Sequence, residues 1–411
     1  MHYQTISVVG LGYIGLPTAA VFSSRKVKVI GVDVNKIAVE TINRGEIHIV
    51  EPDLDKVVQE AVNGGYLRAS TTPEPADAFL IAVPTPFKGD HEPDLSYIES
   101  ASKAIAPVLK KGDLVVLEST SPVGATEQMA AWLAEARPDL SFPQTHGEAS
   151  DIRIAHCPER VLPGQVLREL VENDRVIGGM TPKCSDEAVA LYKIFVEGEC
   201  VVTNARTAEM CKLTENSFRD VNIAFANELS IICDKLDINV WELIQLANRH
   251  PRVSILQPGP GVGGHCIAVD PWFIVSKSPR EAKLIRAARE VNDCKPEIII
   301  EMIAQAASRF RAPKIACFGL AFKANIDDLR ESPALNITIK LAKLFPNAVM
   351  AVEPNIDIND HTLANEIKLV DTRTALKTCD IVVLLVDHTE FKSIPKEQLS
   401  RAIIIDTKGI W

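Results

Sequence analysis

The residues best suited to covalent chemistry lie in one glycine-rich segment, Gln257-Pro-Gly-Pro-Gly-Val-Gly-Gly-His-Cys266-Ile-Ala-Val-Asp270-Pro271. Glycine at this density leaves backbone amides accessible and lets a ligand approach the main chain. A thiol held there, unlike one inside a strand, is open to activation by its neighbours. On spacing alone Cys266 is either a nucleophile or an incidental neighbour of a flexible loop. The other eight cysteines stand at 157, 184, 200, 211, 233, 294, 317 and 379, with no C-x-x-C pair and no Cys/His group at zinc-ligand spacing. The pattern predicts reduced thiols and no metal site.

Two further groups could serve such a thiol. Lys212 and Asn216 are four residues apart in a stretch with helical periodicity, so they project from one face. Met210, Cys211, Leu213 and Phe218 flank them and make a poor solvated surface. An ammonium beside an amide suits stabilisation of an alkoxide or a thiohemiacetal oxyanion, although most helical lysines are simply solvated. Near the N-terminus, Gly10-Leu-Gly12-Tyr13-Ile14-Gly15 follows an apolar strand and opens a helical pattern. The first glycine permits a tight turn, the second lets amides approach a pyrophosphate, and the third allows close helix–strand packing. Asp33 ends the next strand and can accept from both ribose hydroxyls while repelling a 2′-phosphate, which favours NAD over NADP. FAD uses the same fingerprint, and a glycine turn also serves packing alone.

The elements that must position these groups fall into three sections. From residue 5 to about 200, short apolar runs (Thr5–Val9, Val27–Val32, Ala78–Val83, Leu114–Leu117) alternate with helical patterns, the sign of a doubly wound parallel sheet. From about 204 to 305 the strand signal vanishes, and Ala205–Leu236, free of proline, predicts one long helix. Helical patterns recur at Val240–Asn248 and Arg280–Phe310. Strands return at Lys314–Gly319, Ala348–Val352, Asp380–Val386 and Ala402–Asp406, with Gly319-Leu320-Ala321 as the nearest relic of the first glycine motif. The expected fold is α/β: two Rossmann-like doubly wound domains, 1–203 and 306–411, joined by a helical section, 204–305, that carries the glycine–cysteine loop.

A chain of 411 residues exceeds what one core usually serves. Its 46% apolar and 24% charged content is that of an ordinary globular protein. A formal charge of −10 argues against general nucleic-acid affinity. The longest apolar runs, such as Ile381–Val386, have strand length, so no membrane association is expected. The N-terminus shows no basic region followed by an apolar one, and a cytoplasmic location is expected.

Six motifs in order give the chain a resemblance to the UDP-glucose/UDP-N-acetylhexosamine 6-dehydrogenase family over nearly its full length. They are Gly10–Gly15, Ser119-Thr120-Ser121-Pro122-Val123-Gly124, Cys157-Pro158-Glu159-Arg160, the Lys212/Asn216 helix, Gly263-Gly264-His265-Cys266, and Phe322-Lys323…Asp328-Leu329-Arg330-Glu331-Ser332. The resemblance implies a four-electron oxidation of a sugar C6 alcohol by two NAD⁺ in succession, through a thiohemiacetal and a thioester on Cys266, ended by water. It implies that Lys212 and Asn216 stabilise the oxyanion, that Asp270 orients a water or acts as base, and that Glu159 and Thr120 assist proton handling. Gly10, Gly12, Tyr13, Ile14, Gly15, Asp33, Thr85, Thr120 and Arg330 would meet the cofactor. Arg160, Val161, Leu162, Lys212, Asn216, Arg252, Gly263, His265, Phe322 and Lys323 would meet a UDP-N-acetylhexosamine substrate, with Arg252 reaching that of a neighbouring subunit.

Gly-Gly-His-Cys resembles the N-acetylhexosamine branch, and Pro158–Gly164 with Glu172–Gly178 is similar to its mannosamine-oxidising members. Mannosamine and glucosamine differ only at C2, which charge and periodicity do not distinguish. A catalytically silent sugar-nucleotide-binding protein is the reading from another class, opposed by the joint presence of Cys266, Lys212 and Asn216. A two-electron hydroxy-acid dehydrogenase would leave the C-terminal α/β section without a purpose. A long helix between two α/β domains suggests a homodimer or a dimer of dimers.

Overall fold

The computed structural model describes residues 3–162, 164–264, 266–356 and 367–411. The chain divides into two compact units, Met1–Glu215 and Asn216–Trp411, and a continuous 32-residue helix, Ala205–Leu236, crosses the boundary.

The first unit is built on an eight-stranded sheet with a separate two-stranded hairpin. In chain order the strands are β1 (Thr5–Val9), β2 (Lys28–Val32), β3 (Leu67–Ser70), β4 (Ala78–Ile81), a small hairpin of β5 (Phe87–Lys88) and β6 (Glu92–Pro93), then β7 (Leu114–Leu117), β8 (Arg153–His156), β9 (Arg175–Gly179) and β10 (Cys200–Asn204). The large sheet runs β10-β9-β8-β7-β4-β1-β2-β3. Its pairs are parallel except β8 with β9, which is antiparallel. The apolar runs read as strands because they are buried on both faces. Ile6, Val8, Leu80 and Val116 pack on one face, while Val9, Phe79, Ile81, Val115 and Leu117 pack on the other. The chain leaves β1 toward β2 on one side and returns to β4 on the other, so a topological switch point lies between β1 and β4. Ligands of open α/β sheets bind at such points, beyond the carboxyl ends of the strands.

The second unit carries helices Val240–Ala247, Asp270–Lys277 and Lys283–Ala307 before its own sheet. That sheet is fully parallel, with order β13-β12-β11-β14-β15. Its strands are β11 (Ile315–Phe318), β12 (Val349–Val352), β13 (Lys368–Leu369), β14 (Ile381–Leu384) and β15 (Ile403–Asp406). The helix Pro333–Leu344 makes the β11–β12 crossover, with Ser332 accepting from the Leu335 amide at its N-terminus. The fold is therefore two Rossmann-like parallel-sheet layers joined through helices. No described helix is long and apolar enough to cross a membrane.

Candidate active site

The turn after β1 has the geometry its glycines predict. Gly10 has φ +92°, and a β-carbon there would sit 2.6 Å from the Ala82 carbonyl oxygen after β4. A β-carbon on Gly15 would lie 1.7 Å from the Gly10 oxygen, so helix Gly15–Ser24 packs too close to the turn for any side chain. Gly12 differs, because a β-carbon there meets nothing within 4 Å. Glycine at that position serves whatever approaches from outside. Asp33 completes the cradle: Oδ2 accepts from the Leu11 amide at 2.8 Å and Oδ1 from the Asn35 amide at 2.9 Å. Two carboxylate oxygens keep acceptor capacity beyond those bonds. Tyr13 and Ile14 occupy the two positions before the helix, and Tyr13 is exposed. Beyond β4 and β7, the Thr85 and Ser121 hydroxyls are buried without a partner among the described residues. Open space at Gly12, a ten-residue helix N-terminus and orphaned hydroxyls at the same sheet edge fit a dinucleotide.

The other first-unit residues are held by charge. Ser119 donates to the Val83 carbonyl at 2.7 Å and anchors the segment carrying half-buried Thr120. That segment ends at helix Ala125–Ala136, whose N-terminal amides at Gly124 and Thr126 donate to the buried Glu209 carboxylate at 2.7 and 2.8 Å. Glu209 lies one turn before Lys212 on the long helix, so the same helix that presents Lys212 fixes the Thr120 segment. Burial pushes the Glu209 carboxyl upward, opposed by its bonds to Thr126 and Gly124. Glu159 is buried; its Oε2 accepts from Arg175 Nη1 at 2.8 Å and its Oε1 from the Arg160 amide at 2.6 Å. Arg160 itself pairs with Glu215 at 2.7 Å, one turn beyond Lys212. Val161 is half-buried and Leu162 exposed.

In the second unit, two motifs distant in sequence come together. A β-carbon on Gly263 would lie 2.5 Å from the Glu331 carbonyl and 2.6 Å from Pro333 Cδ, and one on Gly264 would touch the Phe322 ring at 3.5 Å. The glycine pair thus lets the Cys266 loop lie against the Phe322–Ser332 segment. Cys266 is exposed, and its carbonyl accepts from the Asp270 amide at 2.8 Å as the chain turns into helix Asp270–Lys277. Asn216 Nδ2 donates to Asp270 Oδ2 at 2.5 Å, both side chains buried. Asn227 Oδ1 accepts from the Gly259 amide at 2.9 Å and Asn292 links Asn227 to Asp220, so the long helix also holds the start of the loop. Most other cysteines are shielded; burial pushes the Cys157 and Cys317 thiols up to about 12. Lys323 is exposed, Arg330 is paired with Asp328 at 2.6 Å, and Arg252 lies in an exposed turn. His265 lies outside the described residues. Sequence reasoning passed over Glu118, Arg175 and Glu209, whose importance depends on partners far along the chain.

Comparison with known proteins accounts for this arrangement. Residues 4–196 match the NAD binding domain of the UDP-glucose/GDP-mannose dehydrogenase family, 206–294 its central domain and 316–411 its UDP binding domain. The chain belongs to that family. As a member of the UDP-glucose/GDP-mannose dehydrogenase family it is an NAD-dependent oxidoreductase of sugar nucleotides. It is 70% identical, over 100% of both chains, to a UDP-N-acetyl-D-mannosamine dehydrogenase of Yersinia pestis. It is 67% identical to an NDP-N-acetyl-D-galactosaminuronic acid dehydrogenase of Ralstonia nicotianae, over 100% of this chain and 97% of that one. A solved UDP-D-ManNAc dehydrogenase of Pyrococcus horikoshii superposes with TM-score 0.88 at 38% identity, covering 99% of this chain and 96% of that one.

Proposed function

We propose that this family member oxidises C6 of UDP-N-acetyl-D-mannosamine to the carboxylate, with Cys266 as covalent nucleophile. The full-length 70% identity to the Yersinia pestis enzyme carries the substrate assignment. Bound NAD⁺ supplies the hydride acceptor for each of two oxidations. Everything else falls to the chain's own residues. Gly12 and the helix N-terminus behind it hold the pyrophosphate, Asp33 the adenosine ribose, and Tyr13, Ile14, Thr85 and Thr120 border the cofactor. Arg330, paired with Asp328, supplies fixed positive charge for phosphate.

Cys266 Sγ adds to the C6 aldehyde, forming a thiohemiacetal; loss of a second hydride gives the thioester, and water displaces the thiolate to release the acid. Lys212, with Asn216 a turn later on the same helix, stabilises the oxyanion of each tetrahedral species. Asp270 keeps its carboxylate aimed by the Asn216 amide and orients water, while Glu159 accepts the water's proton and Thr120 assists. Arg160, Val161, Leu162, Arg252, Gly263, His265, Phe322 and Lys323 contribute substrate contacts. The division into 1–203, 204–305 and 306–411 follows these tasks. Phe218, Phe225, Ile232 and Leu236 are exposed along the long helix and suit burial against a second copy, giving a homodimer or a dimer of dimers in the cytoplasm.

The 67% relative favours a second reading, in which the N-acetylgalactosamine diastereomer, differing at C2 and C4, is the substrate. Parallel assays with UDP-linked N-acetylmannosamine, N-acetylglucosamine and N-acetylgalactosamine decide between them. Turnover confined to either of the latter two would overturn the mannosamine assignment.

A further inference from the structure

Around Glu159, inside the first unit, lies a set of buried ionisable groups, and its other members have no role above. It consists of Glu118 after β7, Cys157 and Glu159 after β8, Arg175 opening β9, and Tyr192 closing helix Pro182–Tyr192. Arg175 donates to Glu159 at 2.8 Å, while the Tyr192 hydroxyl donates to Glu118 Oε1 at 2.6 Å. The guanidinium also lies over the Tyr192 ring, 5.2 Å from its centroid, and near the Phe195 ring at 5.8 Å. Glu118 Oε2 and Arg175 Nη2 have no partner among the described residues.

This interior holds one guanidinium for two carboxyls. A single ion pair satisfies it, and a second carboxylate costs desolvation plus repulsion from the first. The effect is visible on Glu118: burial, opposed by Arg175 and reinforced by the Glu159 charge, pushes its carboxyl up to about 7. Glu159 holds the direct bond to Arg175, and Glu118 holds only the phenol. Cys157 does not compete as an anion, because burial raises its thiol to about 12.

We propose that Glu118, Arg175 and Tyr192 are positioning residues for Glu159, with the ionisation of Glu118 setting how strongly Glu159 attracts a proton during thioester hydrolysis. When Glu118 is ionised, it draws on the Arg175 charge and repels the Glu159 carboxylate, making Glu159 the stronger base. When Glu118 is protonated, Arg175 is left wholly to Glu159, which becomes the weaker one. No bond changes at Glu118; the proton moves from water to Glu159 as the water oxygen bonds the thioester carbon and the sulfur departs. The inference rests on the reading of Glu159 as base for that step.

The test follows acyl-Cys266 by intact mass and uronate release after a single addition of substrate and NAD⁺, across the neutral pH range. Wild type shows a hydrolysis rate that rises with pH through the Glu118 ionisation. Glu118→Gln, fixed neutral, accumulates the thioester, hydrolyses it about tenfold or more slowly above that pH, and loses the inflection, with Kd for sugar nucleotide and NAD⁺ unchanged. Tyr192→Phe removes the donor that favours ionised Glu118, so its inflection moves to higher pH at the same plateau. Wild-type hydrolysis and pH profile in Glu118→Gln would overturn the inference, and where that variant fails to fold, an unmoved inflection in Tyr192→Phe would do so. Glu159→Gln separates the two ideas: if it hydrolyses the thioester at the wild-type rate, the underlying reading fails, whatever Glu118 does.

Discussion

Replacing Gly12 and Gly15 separately by alanine asks whether the two glycines have different tasks. At Gly12 the added methyl meets no atom of the described residues within 4 Å, and φ lies outside the left-handed region. The stability of the cofactor-free protein should therefore change by no more than about 1 kcal/mol, in the stabilising direction, because alanine restricts the unfolded chain. For a unit of this size that is a melting shift of roughly 2–4 °C. The same methyl occupies the space through which phosphate reaches the backbone. Losing one charged hydrogen bond costs about 1.5–3 kcal/mol, so NAD⁺ affinity should fall about 10- to 150-fold. At Gly15 the methyl would sit 1.7 Å from the Gly10 oxygen, a backbone atom that cannot move without parting the turn from its helix. Overpacking of that kind costs about 3 kcal/mol or more, a drop of at least ~6 °C with no cofactor present. Thermal unfolding with and without NAD⁺, with calorimetric titration, reads both effects. Wild-type NAD⁺ affinity in Gly12→Ala, or wild-type melting in Gly15→Ala, would refute the reasoning.

Two further outcomes follow from groups outside the cofactor turn. Burial opposes ionisation of Glu353, but bonds from His388 and from the Leu320 and Asn355 amides outweigh it and hold the carboxyl below its usual 4.5. A depressed carboxyl contributes stability that is present above the unfolded value and lost as pH falls through the folded one. Urea unfolding should thus show an acid-side loss below about pH 4.5 that Glu353→Gln flattens, and an unchanged slope in the variant would contradict this. Phe218→Glu with Phe225→Glu places charge on the exposed apolar stripe of the long helix and should yield monomers by light scattering, whereas an unaltered oligomer would place the interface elsewhere.

What was legible in the sequence was what local physics governs. The long helix reads as Ala205–Leu236 because no proline interrupts its periodicity, and it forms over those residues. The turn at Gly10–Gly15 and Asp33 at the next strand end are likewise local, and the structure joins them through the Leu11 amide. The relic Gly319-Leu320-Ala321 repeats the device, since Glu353 after β12 accepts from the Leu320 amide at 2.7 Å. There, however, His388 and Asn355 also bond the carboxylate. Strand ends differ by a residue or two: the expected Ala78–Val83 stops at Ile81. The antiparallel β8–β9 pair carried no signature, because buried antiparallel and parallel strands have the same apolar pattern. Contacts across the chain were invisible, including Gly263 against Glu331, Asn216 with Asp270, and Arg175 shared near two carboxyls. Each depends on tertiary folding that no local spacing encodes.

Cys266 is the residue on which the proposed chemistry turns. The most direct measurement is product formation by Cys266→Ser and Cys266→Ala with UDP-N-acetyl-D-mannosamine, counting NADH and uronate together against the wild type. Wild type should yield two NADH per uronate and, when quenched during turnover, a sugar adduct on the peptide bearing Cys266. The variants should fold, bind NAD⁺ and release no uronate at a rate near that of the wild type. Uronate formation by Cys266→Ala at the wild-type rate, or one NADH per sugar from the wild type, would contradict the thioester route.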